Sequence, residues 1–330
     1  MVVLSGLLLS SCANGPSEKK YEETKLVYGE KISMDLCVDS YDPGPIAEAM
    51  KESWDEIDHI SSKLERGNPQ SDVYKINHSF GHPVKVSEDT YDLVKEAVSF
   101  TPLSKGAFDI TVGALEDLWK ESSSHGRLPT REEIKEAQKA IGVKWIQFNP
   151  DHTIELTNPK TIIDLGGLAG GWAVDKTVRV FEKFGFRDFM VSVAGAMYMS
   201  GKNCSGKNWK VGISNPMEQY NLKDMIFVSD QAVDTSGDYE KYLMVNGEKY
   251  SHIFNPITGY PQKGTTSATV IAKTSLIKTG VFTIACCVLS PQEAIRLIDD
   301  LGPDYAAFIL YRPSDNQLIP YKSKNYKSGG

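Results

Sequence analysis

Four glycines fall within six residues at Gly166-Gly167-Leu168-Ala169-Gly170-Gly171, between Asp164-Leu165 and Trp172-Ala173-Val174-Asp175. A stretch so bare of side chains lets a ligand or a neighbouring element come close to the backbone. An amphipathic helix is expected from residue 170 to 184, with Ala173, Val174, Thr177, Val178 and Phe181 on one face. A strand entering this turn and a helix leaving it make a cradle for a phosphate or for a metal-bound carbonyl. The spacing is neither G-x-G-x-x-G nor a Walker loop, since no Gly-Lys-Ser/Thr follows. The same glycines would also serve tight packing with no ligand at all.

Around this segment the chain alternates irregularly between strand and helix patterns. Lys31 to Asp39 alternates as a strand, and Ala47, Met50, Trp54, Ile57 and Leu64 recur at helical spacings. Ser87-Glu88-Asp89 opens a helix with acids in its first turn, and Thr130 with Glu133 forms a capping box. A hairpin is predicted around Asn149-Pro150-Asp151. Further strands are expected at 189–193, 209–213, 225–228, 242–245, 250–254 and 267–272. Helices follow over 276–289 and 291–301, the second capped by Ser290, and a last hairpin spans 305–311 and 317–321. Without strict βαβ alternation the class is α+β. The 330 residues, 41% hydrophobic, suffice for one large domain or two intimate ones. With a net charge of −7 and no Lys/Arg run, nucleic acid is excluded as a partner.

The N-terminus bears on location. Val2 to Leu9 is apolar but too short to span a bilayer, and it ends in Leu9-Ser10-Ser11-Cys12. That ending is similar to a bacterial lipobox, in which the cysteine becomes the lipidated first residue. Residues 1–11 are therefore expected to be a signal peptide and 12–29 a lipidated polar tether. The expected location is the bacterial cell envelope, with the chain anchored to the membrane and facing the periplasm or exterior. Cys37, Cys204, Cys286 and Cys287 show no C-x-x-C or Cys/His metal spacing; they read mostly as core fillers, and nothing requires them to pair.

Four more segments are richer in glycine and fixed polar groups than a core needs. Lys105-Gly106-Ala107-Phe108-Asp109-Ile110-Thr111 precedes a helix that Asp109 or Thr111 is placed to cap. Thr235-Ser236-Gly237-Asp238 and His252-Ile253-Phe254-Asn255-Pro256-Ile257-Thr258-Gly259 follow later. Thr279 and Thr283 stand one helical turn apart, hydroxyls on one face. No nucleophile elbow, zinc signature or Cys–His pair is present. Thr265-Thr266-Ser267-Ala268-Thr269 reads as plain strand.

In this order, Ser71 to Asn77 (Ser-x-x-x-x-Ile-Asn), GAFDITVGAL, DLGGLAGGWAVD, TSGDYEKY and SHIFNPITG resemble the FAD:protein FMN transferase (ApbE-type) family. The likeness runs over residues 30 to 311. It implies an α+β domain over residues 30–322, of mixed sheets with flanking helices and a FAD cleft between two sub-lobes, followed by a tail at 323–330. It also implies that FAD is split at its pyrophosphate and FMN joined to a Thr or Ser of an exported acceptor protein, releasing AMP, with Mg²⁺ bridging phosphate oxygens. By this resemblance Met34, Ala107, Phe108, Asp109, Asp164, Gly170 and Ile253 are FAD neighbours. The Gly167 carbonyl, Thr279 and Thr283 are Mg²⁺ ligands. His252 acts near the flavin phosphates as acid/base or positioning group, and Asp238 is a candidate to activate the acceptor hydroxyl. Thr279 stands where the family carries Asp, and Gly170 where it carries Lys or Glu. The other reading of the same motifs is a non-catalytic flavin-binding lipoprotein of this fold.

Overall fold

A computed structural model describes residues 19–27, 30–38, 42–218, 221–238, 241–314 and 317–329. The antiparallel pair β1 (Lys19–Val27) and β2 (Glu30–Val38) leads into helix α1 (Pro43–Leu64) and the short α2 (Asp72–Asn77). Next come β3 (Val84–Lys85), α3 (Glu88–Leu103), α4 (Gly113–Ser124) and α5 (Arg131–Gln138). The hairpin β4 (Ile146–Asn149) and β5 (Thr153–Leu156) precedes α6 (Gly166–Lys183). Then follow β6 (Asp188–Val193), β7 (Ala196–Ser200), β8 (Trp209–Ser214), β9 (Leu222–Val228), β10 (Gln231–Gly237), β11 (Tyr242–Val245) and β12 (Glu248–Ser251). The chain closes with β13 (Thr265–Ala272), α7 (Leu276–Val288), α8 (Pro291–Asp300), β14 (Tyr305–Ser314) and β15 (Gln317–Lys322).

Eight strands form one antiparallel sheet in the order β1-β2-β6-β7-β10-β13-β14-β15. All eight residues of β13 are buried, so both faces of the sheet are covered there. Ala268, Val270 and Ala272 turn to one face, against Phe282 and Ala285 of α7 and Leu297 and Ile298 of α8. Ile271 turns to the other, against Trp209 and Ile226 of the β8–β9 hairpin. Farther along the helical face, α1 and α6 pack with Met34, Leu36 and Val191. Alternation along a strand thus sorts side chains between two cores. The α+β class expected from the sequence holds.

Several boundaries differ from the sequence reading. Residues 19–27, placed in the polar tether, are the edge strand β1, paired residue for residue with β2. Its sequence KKYEETKLV looks like a linker because edge strands carry charge that discourages further pairing. The expected tail at 323–330 is docked as far as it is described. Ser323 Oγ accepts from Ala307 N at 2.8 Å, Tyr326 stacks on Phe308, and Ser328 Oγ donates to Asp224. Two of the supposed core-filler cysteines, Cys37 and Cys204, form a disulfide, while Cys286 and Cys287 are buried thiols. Cys12 and the expected signal segment lie outside the described residues.

Candidate active site

The glycine-rich segment does not precede its helix as a turn; it forms the first two turns of α6, which starts at Gly166. The helix start is held by Asp164, whose Oδ1 accepts from Gly166 N at 2.7 Å. The glycines let α6 and α7 touch backbone to backbone. A Cβ on Gly171 would stand 3.0 Å from the Leu276 carbonyl group, and one on Gly167 2.8 Å from Ile284 Cδ1. Gly170 differs, since its Cβ would meet Val193 at an ordinary 3.5 Å. Asp175, one turn farther on, accepts from Leu276 N and Ile277 N and so ties α6 to the first turn of α7. Burial pushes its carboxyl up to about 6.

This arrangement borders a cavity of about 1120 Å³, just above the range of roughly 300–1,000 Å³ usual for small-molecule sites. Three separate segments converge on it: Ala107, Phe108 and Asp109; Asp164, Gly167 and Gly170; and His252 with Ile253. Local hydrogen bonds explain the convergence. Asp164 N donates to Ile110 O at 2.7 Å, which joins the first two segments. Asn77 clamps Ile163 from both sides, accepting from its N–H at 2.7 Å and donating to its carbonyl at 2.8 Å. Ser71, at the start of the same short motif, caps α2. The Asn255-to-Gly259 turn is seated on α4, where Trp119 Nε1 donates to Gly259 O. Asp109 and Thr111 do not cap α4, as their positions suggested. Asp109 Oδ1 accepts from Thr111 N and Oγ1 instead, which fixes the turn.

His252 is half-buried, and its Nδ1 lies 2.8 Å from Lys241 O. A carbonyl only accepts, so Nδ1 carries the proton and Nε2 is the basic nitrogen. Burial holds the ring's pKa below its usual value. Two groups that sequence reasoning missed stand nearby. Arg66 binds Glu116 at 2.7 Å, Asp164 at 3.0 Å and Asp117 at 2.7 Å. Burial and the Asp164 charge nevertheless push Glu116 up to about 8, outweighing Arg66. Arg66 lies in a loop that carries no motif, so only the fold reveals it. Asp234 also lines the cavity, and its neighbour Thr235 pointed to the segment without pointing to the carboxylate.

Four sequence candidates are not on the wall. Met34 is fully buried between β1 and β6, packed into the core rather than facing the cavity. Asp238 lies just past the end of β10, its N–H bonded to Thr266 O, while Asp234 occupies the cavity side. Thr279 and Thr283 are fully buried on α7 and donate to Ser275 O and Thr279 O.

The fold and cleft together define a class, an α+β protein with a dinucleotide-sized cavity walled by a glycine-rich helix start and a neutral histidine. Residues 28–309 match the ApbE family, and the chain belongs to it. It is 30% identical to the FAD:protein FMN transferase of Vibrio cholerae over 99% of this chain and 97% of that one. It is 27% identical to the one of Haemophilus influenzae, over 93% and 92%. Among solved structures, the ApbE protein of Thermotoga maritima superposes with a TM-score of 0.83 at 29% identity, over 93% of this chain and 97% of that chain. The flavin transferase ApbE from Vibrio cholerae shares the fold, with a TM-score of 0.80 at 24% identity over 93% and 98%.

Proposed function

We infer that this chain is a FAD:protein FMN transferase, which binds FAD in the cavity and joins FMN to a Thr or Ser hydroxyl of an acceptor protein. The observation that carries the reading is the convergence of residues 107–109, the start of α6 and His252 on one cavity. The acceptor oxygen forms a bond to the FMN phosphorus, its proton passes to Nε2 of His252, and the bond to the AMP phosphate breaks. AMP then leaves with the bridging oxygen. The start of α6 forms one wall for the phosphates, and Ala107, Phe108 and Ile253 shape the cavity beside it. Asp238, away from the wall, is better suited to holding the end of β10 than to proton transfer.

The cavity wall carries six acidic side chains (Glu30, Glu65, Asp109, Asp164 and Asp234, with Glu116 holding its proton at neutral pH) against Lys120 and Lys241. A pyrophosphate entering such a wall calls for a cation. The Gly167 carbonyl with the Thr279 and Thr283 hydroxyls, whose protons are engaged inside α7, is an all-oxygen set that suits Mg²⁺. Mg²⁺ bound there would neutralise charge on the phosphates.

A lipid anchor at Cys12 completes the proposal and puts the domain outside the cytoplasm. The Cys37–Cys204 disulfide supports it, because such bonds persist in oxidising compartments. Fatty-acid labelling that survives Cys12→Ser would refute the anchor. For the activity, purified protein is incubated with FAD, Mg²⁺ and envelope proteins, and AMP and protein-bound flavin are measured. Both should appear together. FAD binding without AMP release would favour the non-catalytic reading, and no FAD binding would overturn both.

A further inference from the structure

The proposed Mg²⁺ donors on α6 and α7 are all neutral, which is weak provision for a hard divalent ion. A carboxylate comes close to them from the sheet, outside either helix. A Cβ placed on Gly280 would stand 2.9 Å from Asp234 Oδ2 and 3.7 Å from the Gly167 carbonyl oxygen. A strand carboxylate and a helix carbonyl therefore both border the space left bare at Gly280. Gly280 is what leaves the space open, since any side chain there would run into the carboxylate.

The neighbouring residues run in the same direction. On α7, positions 280, 283 and 287 lie on one face, and Cys287 Sγ is 3.7 Å from Ser236 O on β10. Thr283 therefore lies over the part of β10 that carries Asp234 and Thr235. The hydroxyl protons of Thr279 and Thr283 are donated to Ser275 O and Thr279 O, which leaves their oxygen lone pairs for a cation. Asp234 and Gly167 are both on the cavity wall, so an ion between them would border the space proposed for pyrophosphate.

We propose that Asp234 is the anionic ligand of a divalent-cation site completed by the Gly167 carbonyl and the α7 threonines, with the charge delivered from the sheet rather than from the helix. The proposal rests on the FAD-binding reading only for the ion's purpose; the site itself is testable with metal alone. Mn²⁺ binding to the full chain is measured by electron paramagnetic resonance and calorimetry, with and without FAD, while FAD binding without metal and thermal unfolding report on the fold. Asp234→Asn, which keeps the shape and removes the charge, should weaken Mn²⁺ by at least about tenfold and leave the unfolding midpoint near wild type. Adding Thr279→Asp to Asp234→Asn should restore most of the lost affinity, because the charge then reaches the same ion from the facing helix. Mn²⁺ affinity unchanged in Asp234→Asn overturns the proposal, and so does a double variant as weak as the single one. Wild type that takes no Mn²⁺ even with FAD refutes the metal site as a whole. Loss of FAD binding in the wild type would instead strike the flavin reading and leave the metal data to stand alone.

Discussion

The Nδ1 proton of His252 is committed to the Lys241 carbonyl, and its pKa is held down by burial, so Nε2 is unprotonated at neutral pH. A group in that state accepts a proton in the transition state rather than merely contacting the ground state. His252→Ala should therefore lower single-turnover FMN transfer by roughly 10²–10⁴-fold while changing FAD affinity far less. An equal loss in both would reduce His252 to a binding contact. The acid limb of the rate profile should lie below the ordinary histidine value, because the folded ring resists protonation. Glu116 offers a stability test with the opposite sign. Its pKa rises to about 8 from 4.5, so between those values the folded state holds a proton that the unfolded chain has lost. Stability must then fall as pH rises through that window. Glu116→Gln should shrink the drop in melting temperature between about pH 6 and about pH 9, and an unchanged drop would assign the effect elsewhere. At this scale the sequence was uneven. His252, Asp164 and Asp109 sat in dense motifs and were legible. Arg66 and Asp234 were not, because their partners lie 98 residues away in one case and across a helix–strand contact in the other.

Elements were read best where local signals were strong. The capping boxes at Thr130 and Ser290 start α5 and α8 as predicted, and the hairpins β4–β5 and β14–β15 form as expected. β10 escaped notice because Asp234, Thr235 and Ser236 read as loop chemistry, although the strand lies in the middle of the sheet. Those polar residues border the cavity, so function overrode the apolar alternation that identifies a strand. Met34 differs in the other direction: the resemblance implies a place beside FAD, while in the fold its side chain is buried in the core packed under α1 and α6. The α6–α7 joint gives the prediction at this level. Asp175 accepts from the first two N–H groups of α7, which have no partner inside their own helix. Asp175→Ala should destabilise the fold by about 1–2 kcal/mol, as loss of a helix cap does. It should also loosen Mn²⁺ and FAD binding, since α7 then loses its fixed position against Gly167. A variant that unfolds like wild type would show that Ser275, which also caps α7, is sufficient alone.

Across the whole molecule, the one described covalent cross-link joins distant parts of the chain on the face away from the cavity. Cys37 and Cys204 are 167 residues apart, and both belong to the cluster of Trp209, Ile213 and Phe308, on the far side of the sheet from α6 and α7. Closing so long a loop restricts the unfolded chain, and the chain-entropy argument puts the stabilisation at about 5 kcal/mol, with about 2–5 typical for loss of a native bond. The folded sheet does not need the bond to hold β2, which is already paired along its length on both sides. Reduction, or Cys37→Ser, should therefore lower the unfolding midpoint markedly while FAD affinity at temperatures well below that midpoint stays close to wild type. The remaining thiols should not confuse the measurement: burial pushes Cys286 up to about 12, and Cys287 is also buried, so neither exchanges readily in the native state. Unfolding curves with and without reductant, read beside FAD titrations, separate the outcomes. A midpoint indifferent to reductant would mean that the pair is not bonded in the purified protein. A parallel loss of FAD binding without unfolding would mean that strain passes through the sheet from β2 to the cavity, where Glu30 and Ile32 of the same strand form part of the wall.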